Sequence, residues 1–488
     1  MNKLINAINN TTTTENGHYA VKSTGDALLN LYGIVGALRH ADFTERVQPL
    51  LDDAINEDKQ LATRLMFYTR DAREGVGERE LFRKMIHYVA YHYPELLKDN
   101  IHLIPFYGRW DDMYALVDTP LEKQMWDIMR TQWNVDFSDM EQYAPVSLLG
   151  KWVKSVNASS PETCALGRKT AAAFGLSERN YRKAVARLRN YLDVVEVNMS
   201  AKDWELIDYE KVPSRAMLKY REAFGRNDAE RYETYLNKVR VGEAKINTKA
   251  NTPQDLIHAM APNAFGTCHP NDTIELLWKN LPNYINSNEN IMVMADVSGS
   301  MTGRPMEVSI GLAIYFAEHN TGDFHNTFMT FSSSPTFVHL RDDESLAEKI
   351  RKVQCADWGS NTDLNRACLE LVKFARAHNV PAQDMPTRLI IISDMEIDEA
   401  DDMYATHSEE TRRYFERYGY TMPQLIYWNV ESRQNAFQAT ADQSGVMLAS
   451  GSSPAVFQAL LEMKDYSITP YESMLEVLNS PRYQAIRV

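Results

Sequence analysis

The chain has 488 residues, a mass of 55.9 kDa and a formal net charge of −14, a length that suggests two or three domains rather than one core. With 44% hydrophobic and 24% charged residues, 21 Gly and 19 Pro, it is neither collagen-like, low-complexity nor disordered on the whole-chain scale. The acidic balance excludes a protein that coats nucleic acid indiscriminately.

The first residues, MNKLINAINNTTTTENGHYA, lack the apolar core of a secretory leader, and no run of about 18 apolar residues occurs anywhere. Neither secretion nor membrane insertion is expected. Cys164, Cys268, Cys355 and Cys368 lie far apart with no CxxC pair, so neither a zinc site nor a disulfide framework is signalled. A reducing, cytoplasmic setting is the expectation.

Residues 1–25 are read as an N-terminal arm. From 26 to 243 the period is helical. In Ala27–His40, Leu28, Leu31, Val35 and Leu38 recur at three- and four-residue spacing, and in Glu78–Tyr91 the stripe is Leu81, Phe82, Met85, Ile86 and Val89. Successive amphipathic helices with short Gly, Pro or Asp punctuation predict an all-α solenoid or helical array, although no clean repeat period stands out. Residues 244–290, rich in Pro and Asn, are read as a connector.

At 291 the pattern changes. IMVMADV reads as a buried strand, and it is followed by a helix (Met306–His319), the strand-like NTFMTF and PTFVHL, and a helix (Leu346–Val353). Next come a Gly-Ser-Asn-Thr turn, a helix (Leu364–His378), the strand RLIIISD, a helix (Glu409–Tyr418), the strands QLIYWNV and GVMLAS, and a helix (Ala455–Met463). Alternating β and α units of this length predict a doubly wound, mostly parallel sheet over 291–465. Residues 466–488 are expected to be a tail that packs back on the helical module. Charge follows the same division: from Ile291 on, 16 Lys+Arg face 27 Asp+Glu, a net of −11, which leaves −3 for the first 290 residues.

Polar residues collect where such folds bind ligands, at the carboxyl ends of the strands. Asp296-Val297-Ser298-Gly299-Ser300 ends the first strand, Gly359-Ser360-Asn361-Thr362-Asp363 precedes a helix, and Ser393-Asp394 ends RLIIIS. Asp296, Ser298, Ser300, Thr362 and Asp394 together offer a hard, all-oxygen set, which suits Mg²⁺ or Mn²⁺ rather than Zn²⁺. The competing reading is local: Ser as an N-cap and Thr362-Asp363 as the cap of the next helix.

These three segments, in this order, resemble the metal-ion-dependent adhesion site (MIDAS) of von Willebrand factor A (vWA) domains. The segments LMFYTRDAREGVGERELF, FYGRWDDMYAL, SLLGKWVKSVNASS, NYRKAVARLRNYLDVVE and KVPSRAM resemble the DUF2828 family, which is similar in turn to TROVE (Ro-type) proteins. That resemblance implies a helical module of HEAT-like helices, curved into a ring and closed by a vWA domain, one bound Mg²⁺ or Mn²⁺, and binding of small structured RNAs or RNA 3′ ends, as in a ribonucleoprotein. It implies no nucleotide cofactor.

The residues themselves offer a face for RNA. In Ser177–Glu196, Tyr181, Val185, Leu188 and Leu192 form an apolar stripe, while Arg182, Lys183, Arg187 and Arg189 point elsewhere. Lys151, Lys154, Arg168 and Lys169 add to the basic stretch, with Trp152 available for stacking or burial. A solvated face paired with the acidic module is the other reading. Arg70–Arg79 (RDAREGVGER) is expected to be a loop pinned by pairs to Asp71 and Glu78, and Asp111-Asp112 are expected to be structural. Cys268-His269 near His258 lacks a third orienting group for nucleophilic catalysis. The acidic run from Asp394 through Glu396 and Asp398 to Asp402 is expected to be a solvated loop. No catalytic residue is expected; RNA and, through the metal, an acidic protein are the expected partners. A metal-dependent protein–protein scaffold is the alternative to RNA binding.

Overall fold

The computed structural model describes residues 9–264, 266–285, 289–331, 335–355, 363–398 and 406–488. They form two compact units. The first takes in the described residues up to Asp58, Arg73–Val76 and Thr248–Pro481. The second takes in Lys59–Ala72, Gly77–Asn247 and Arg482–Val488.

The first unit is built on strands β3 (Ile291–Asp296), β4 (Thr327–Phe331), β5 (Thr336–His339), β6 (Arg388–Ser393), β7 (Gln424–Asn429) and β8 (Val446–Ser450). Their order is β5-β4-β3-β6-β7-β8, with β4 and β5 antiparallel and all other neighbours parallel. Counted within the sheet this is 3-2-1-4-5-6, the doubly wound order, whose reversal falls between β3 and β6. Every residue of β3, β6 and β7 is buried, as continuous apolar runs covered on both faces require. Helices Arg304–His319, Leu346–Gln354, Leu364–Ala377, His407–Tyr418 and Ala455–Glu462 match the expected helical segments to within two residues at each end.

The domain division differs from the expected one at both ends of the chain and in the expected connector, which from Thr248 on belongs with the sheet and carries helices Pro253–Met260 and Asp272–Lys279. Residues 9–58 belong with the sheet rather than with the helical module. Thr11–Thr13 (β1) and Tyr19–Val21 (β2) form an antiparallel hairpin, and helix Ala27–Ile34 packs on β8 and on Pro470–Leu478. This helix stops short of the predicted His40. It tightens into a 3₁₀ turn at Val35–Ala37, where the Gly36 N–H donates to Ser450 Oγ at 2.9 Å. A Cβ on Gly36 would stand 2.5 Å from the Ser450 carbonyl carbon, so the approach needs glycine.

The second unit contains no strand among its described residues. Its longer helices are Lys59–Arg70, Arg79–His92, Glu122–Glu141, Pro161–Ala173, Glu178–Tyr191, Ser214–Asn227 and Ala229–Arg240. Phe67, Phe82 and Tyr107 pack ring against ring in its core, and Trp133, Phe174 and Tyr181 form a second cluster. Only the last seven residues of the expected tail return to this unit. Arg482 grips the buried Asp71 through two bonds of 2.6 and 2.8 Å, and Tyr483 stacks on Tyr107.

Candidate metal centre and basic helix face

β3 and β6 are adjacent and parallel, so their carboxyl ends bring Asp296 and Ser393-Asp394 to one place at the topological reversal. Asp296 is fully buried. Its Oδ1 accepts the Ser298 N–H at 2.8 Å, and its Oδ2 accepts the Ser393 hydroxyl at 2.6 Å. Ser298 Oγ lies 3.0 Å from Ser300 Oγ, so both hydroxyls of the turn sit side by side. After β6 the backbone turns through Met395 at φ 64°, and the Ser393 hydroxyl also accepts the Met395 N–H. Ser393, which the sequence places with Asp394 at the strand end but outside the expected ligand set, thus supports Asp296 rather than offering itself as a ligand.

The electrostatics are those of two carboxylates in a dry place. Burial and the neighbouring charge of Asp394 push the Asp296 carboxyl up to about 7, against the pull of the Ser298 and Ser393 donors. Burial likewise raises Asp394, while the Ser300 hydroxyl, the Glu396 N–H and Arg433 oppose it. Asp394 Oδ1 accepts the Glu396 N–H at 3.2 Å. Its buried Oδ2 has no hydrogen-bond partner among the described residues and lies 3.6 Å from Arg433 Nη2. A buried, half-satisfied carboxylate beside a second carboxylate and two hydroxyls suits a hard divalent cation, which would supply the missing positive charge. Asp296, Ser298, Ser300 and Asp394 are the residues that would hold it. Thr362, the fifth expected ligand, lies outside the described residues.

The described start of the acidic run after Asp394 departs from the solvated loop expected of it. Glu396 is buried and accepts the Glu15 N–H and the Gln434 side chain. Sequence gave no hint of this, because the hairpin that covers Glu396 comes from the other end of the chain. Glu399, Asp401 and Asp402 lie outside the described residues.

In the helical unit, Ser177 caps helix Glu178–Tyr191 by accepting the Asn180 N–H. Tyr181, Val185 and Leu188 of the expected stripe are buried, and Leu192, which caps the helix, is half-buried. Arg182, Lys183 and Arg187 are exposed and have no ion partner among the described residues; Arg179 joins them. Arg179, Lys183 and Arg187 follow at four-residue intervals, a ladder of charge with about 6 Å per rung. The other basic residues behave differently. Arg189 turns inward and donates to the carbonyls of Gly150, Lys151 and Val153. Arg168 pairs with Glu178 at 3.4 Å, and Lys169 with Asp118 at 2.6 Å. Lys151 lies 5.6 Å from the Trp152 ring and Lys154 5.5 Å from that of Tyr114, while Arg109 stacks on Trp152 at 3.9 Å.

The remaining motifs are engaged in ion pairs and hydrogen bonds. Asp112 binds Arg70 and Arg83 at 2.8 Å each, and Asp111 binds Arg109 and Arg83. Asp71 is held by Arg482. His258 pairs with Glu307 at 2.7 Å, and Cys268 Sγ points to the Ala347 carbonyl.

An α/β unit with an oxygen-lined polar cluster at its sheet reversal, joined to a helical unit that carries a basic helix face, is the class that the fold and site define. The family described as Domain of unknown function (DUF2828) matches residues 14–144 and 155–291, and the chain belongs to it. Domain of unknown function (DUF7788) matches residues 290–480, so that match begins at β3. The chain is 25% identical over 506 aligned positions to "Uncharacterized protein L728" of Acanthamoeba polyphaga mimivirus, covering 95% of this chain and 86% of that protein. It is also similar to the Deinococcus radiodurans RO (RSR) protein in its crystal structure, with a TM-score of 0.49 and 15% identity over 90% of this chain and 99% of that one. Among the described residues, no helix is long and apolar enough to cross a membrane.

Proposed function

We propose that this chain is an RNA-binding protein without catalytic activity, and that the outer face of helix Glu178–Tyr191 is its principal contact with the phosphate backbone. One observation carries the reading. In a chain of net charge −14, four cations on a single helix face, Arg179, Arg182, Lys183 and Arg187, are exposed without carboxylate partners among the described residues. A face that existed only to be solvated in an acidic protein would be expected to acquire such partners, as Arg168 and Lys169 have done. Neutralising phosphates releases counterions, so binding falls steeply with salt. The similarity of the DUF2828 family to TROVE proteins favours small structured or 3′-tailed RNAs.

The test is retention of such RNAs on filters over a salt series. Replacing Arg182, Lys183 and Arg187 together by Ala should weaken binding and flatten the dependence of log K on log salt by about 2 units. Full retention by the triple variant would overturn the assignment of the face.

A second reading has its own observation, the buried Asp394 oxygen without a hydrogen bond. Here the α/β unit holds Mg²⁺ or Mn²⁺ at a vWA-like adhesion site and captures a ligand's carboxylate through it. With the cation bound, Asp296 and Asp394 stay ionised, Ser298 and Ser300 orient, and the apolar strands β3 and β6 keep bulk water from behind the site. Magnesium should raise the melting temperature of the wild-type protein by several degrees. The isostere Asp296→Asn should be more stable than the wild type without cation, because one of two neighbouring buried charges is gone, and should show no rise with magnesium. A magnesium-dependent rise that survives in Asp296→Asn would refute this reading.

A further inference from the structure

We propose that Glu15, at the tip of the N-terminal hairpin, is the acidic group that the chain itself presents to the cation site, and that Arg433 holds the cation's place until it arrives. The inference rests on the cation reading above and names what regulates that site.

The hairpin tip is fastened to the segment that follows Asp394. Thr14 Oγ1 donates to the Ile397 carbonyl at 2.5 Å, the Glu15 N–H to Glu396 Oε2 at 2.6 Å, and Asn16 Nδ2 to the Glu396 carbonyl at 2.8 Å. Gly17 forms a β-bridge with Asp398, and Gln434 Nε2 reaches both the Thr13 carbonyl and Glu396 Oε2. Thr14, His18 and Glu396 are buried, so these are interior contacts rather than a loose surface strap. They fix the backbone of Glu15 two to three residues from a carboxylate of the candidate site.

The Glu15 side chain is half exposed and was free to point into solvent. Instead its Oε2 lies 3.2 Å from Arg433 Nη1. The other amine of the same guanidinium, Nη2, donates to the Ser300 carbonyl at 2.5 Å and lies 3.6 Å from Asp394 Oδ2. One arginine therefore spans two of the candidate ligand residues and Glu15. Its charge stands where negative charge is concentrated: two buried carboxylates, with a third at the rim.

A divalent cation brought to Asp296, Ser298, Ser300 and Asp394 would face this guanidinium at short range, where like charges repel strongly. Cation and Arg433 compete for Asp394. When the guanidinium yields, Glu15 loses its partner at the point where new positive charge appears, and the bonds to Glu396 and Ile397 keep it there. A hard cation held by two carboxylates and two hydroxyls favours a further anionic oxygen, direct or through one water. An external acidic ligand must then displace Glu15.

Calorimetric titration of the full chain with Mn²⁺ tests this. Glu15→Gln should bind Mn²⁺ about tenfold more weakly than wild type, and Arg433→Gln several-fold more tightly. Both side chains are partly exposed, so neither substitution endangers the fold. Amide exchange over Thr11–Val21 should slow on Mn²⁺ addition in the wild type and not in Glu15→Gln. If the wild type binds no Mn²⁺, or Asp296→Ala binds it equally well, the cation reading fails and takes the inference with it. If Asp296→Ala abolishes binding while Glu15→Gln and Arg433→Gln both bind as the wild type does, the cation site stands and the role of Glu15 and Arg433 is overturned.

Discussion

Asp26 caps helix Ala27–Ile34 by accepting the Leu29 N–H at 2.7 Å, and Glu57 reaches the same helix end to accept the Ala27 N–H at 2.6 Å. Two carboxylates thus share one helix N-terminus. Burial, with the hydrogen bond and charge of Glu57 behind it, raises the Asp26 carboxyl from 3.8 to about 6, although the Leu29 amide pulls it down. A raised folded value means that the native state keeps its proton where the unfolded chain has released it. The stabilisation is therefore complete below the unfolded value near 4 and is lost as pH rises through about 6. Asp26→Asn keeps an oxygen for the cap and cannot ionise. Its urea midpoint should change less than that of the wild type between about pH 4.5 and 7. An equal change in both proteins would show that Asp26 does not titrate in this window.

Helix Glu178–Tyr191 shows how neighbouring side chains on one element take different roles. Arg187 is exposed and Arg189 is turned toward the carbonyls that end the short helix Leu149–Trp152. Burial of the Arg189 guanidinium lowers its proton affinity, yet it stays charged and donates to those oxygens. Removing it leaves carbonyls without donors, so Arg189→Ala should cost about 1–3 kcal/mol in urea unfolding. Arg187→Ala should stay within about 0.5 kcal/mol of wild type. RNA retention should show the opposite order, with Arg187→Ala the more damaging of the two under conditions where both are folded. Equal destabilisation by the two would remove the distinction between a structural and a contacting arginine.

At the scale of the whole molecule, the chain leaves and re-enters each unit more than once. The last seven residues illustrate the consequence. Arg482 pairs with the fully buried Asp71 across 411 positions of sequence, the Tyr107 hydroxyl donates to the Arg482 carbonyl, and Asn100 donates to the Arg487 carbonyl. Truncation after Pro481 removes the guanidinium from a carboxylate at 0% exposure, and breaking a buried pair from one side costs about 3–5 kcal/mol. The truncated chain should lose that much stability in its helical unit, read from exchange protection of Lys59–Arg70 and Arg79–His92. Protection equal to that of the full chain would show that the tail is dispensable.

The sequence by itself determined the order of helices and strands from residue 291 on, the doubly wound unit they form, the polar ends of β3 and β6, and the basic stripe of Glu178–Tyr191. Each is local: a run of apolar residues sets a strand, its end sets where Asp296 and Asp394 emerge, and helical spacing sets which faces are wet. The tertiary structure alone decided that the hairpin of residues 9–21 covers Glu396, that Arg433 and Glu15 stand at the rim of the candidate site, and that Ala27–Ile34 packs on β8. It also decided that Arg168 and Lys169 meet carboxylates and Arg189 meets carbonyls, while Arg182, Lys183 and Arg187 have no ion partner among the described residues and Arg187 lies over the Phe137 ring. These outcomes depend on which distant segments meet when the core closes, and a side chain carries no mark of its partner when hundreds of residues separate them.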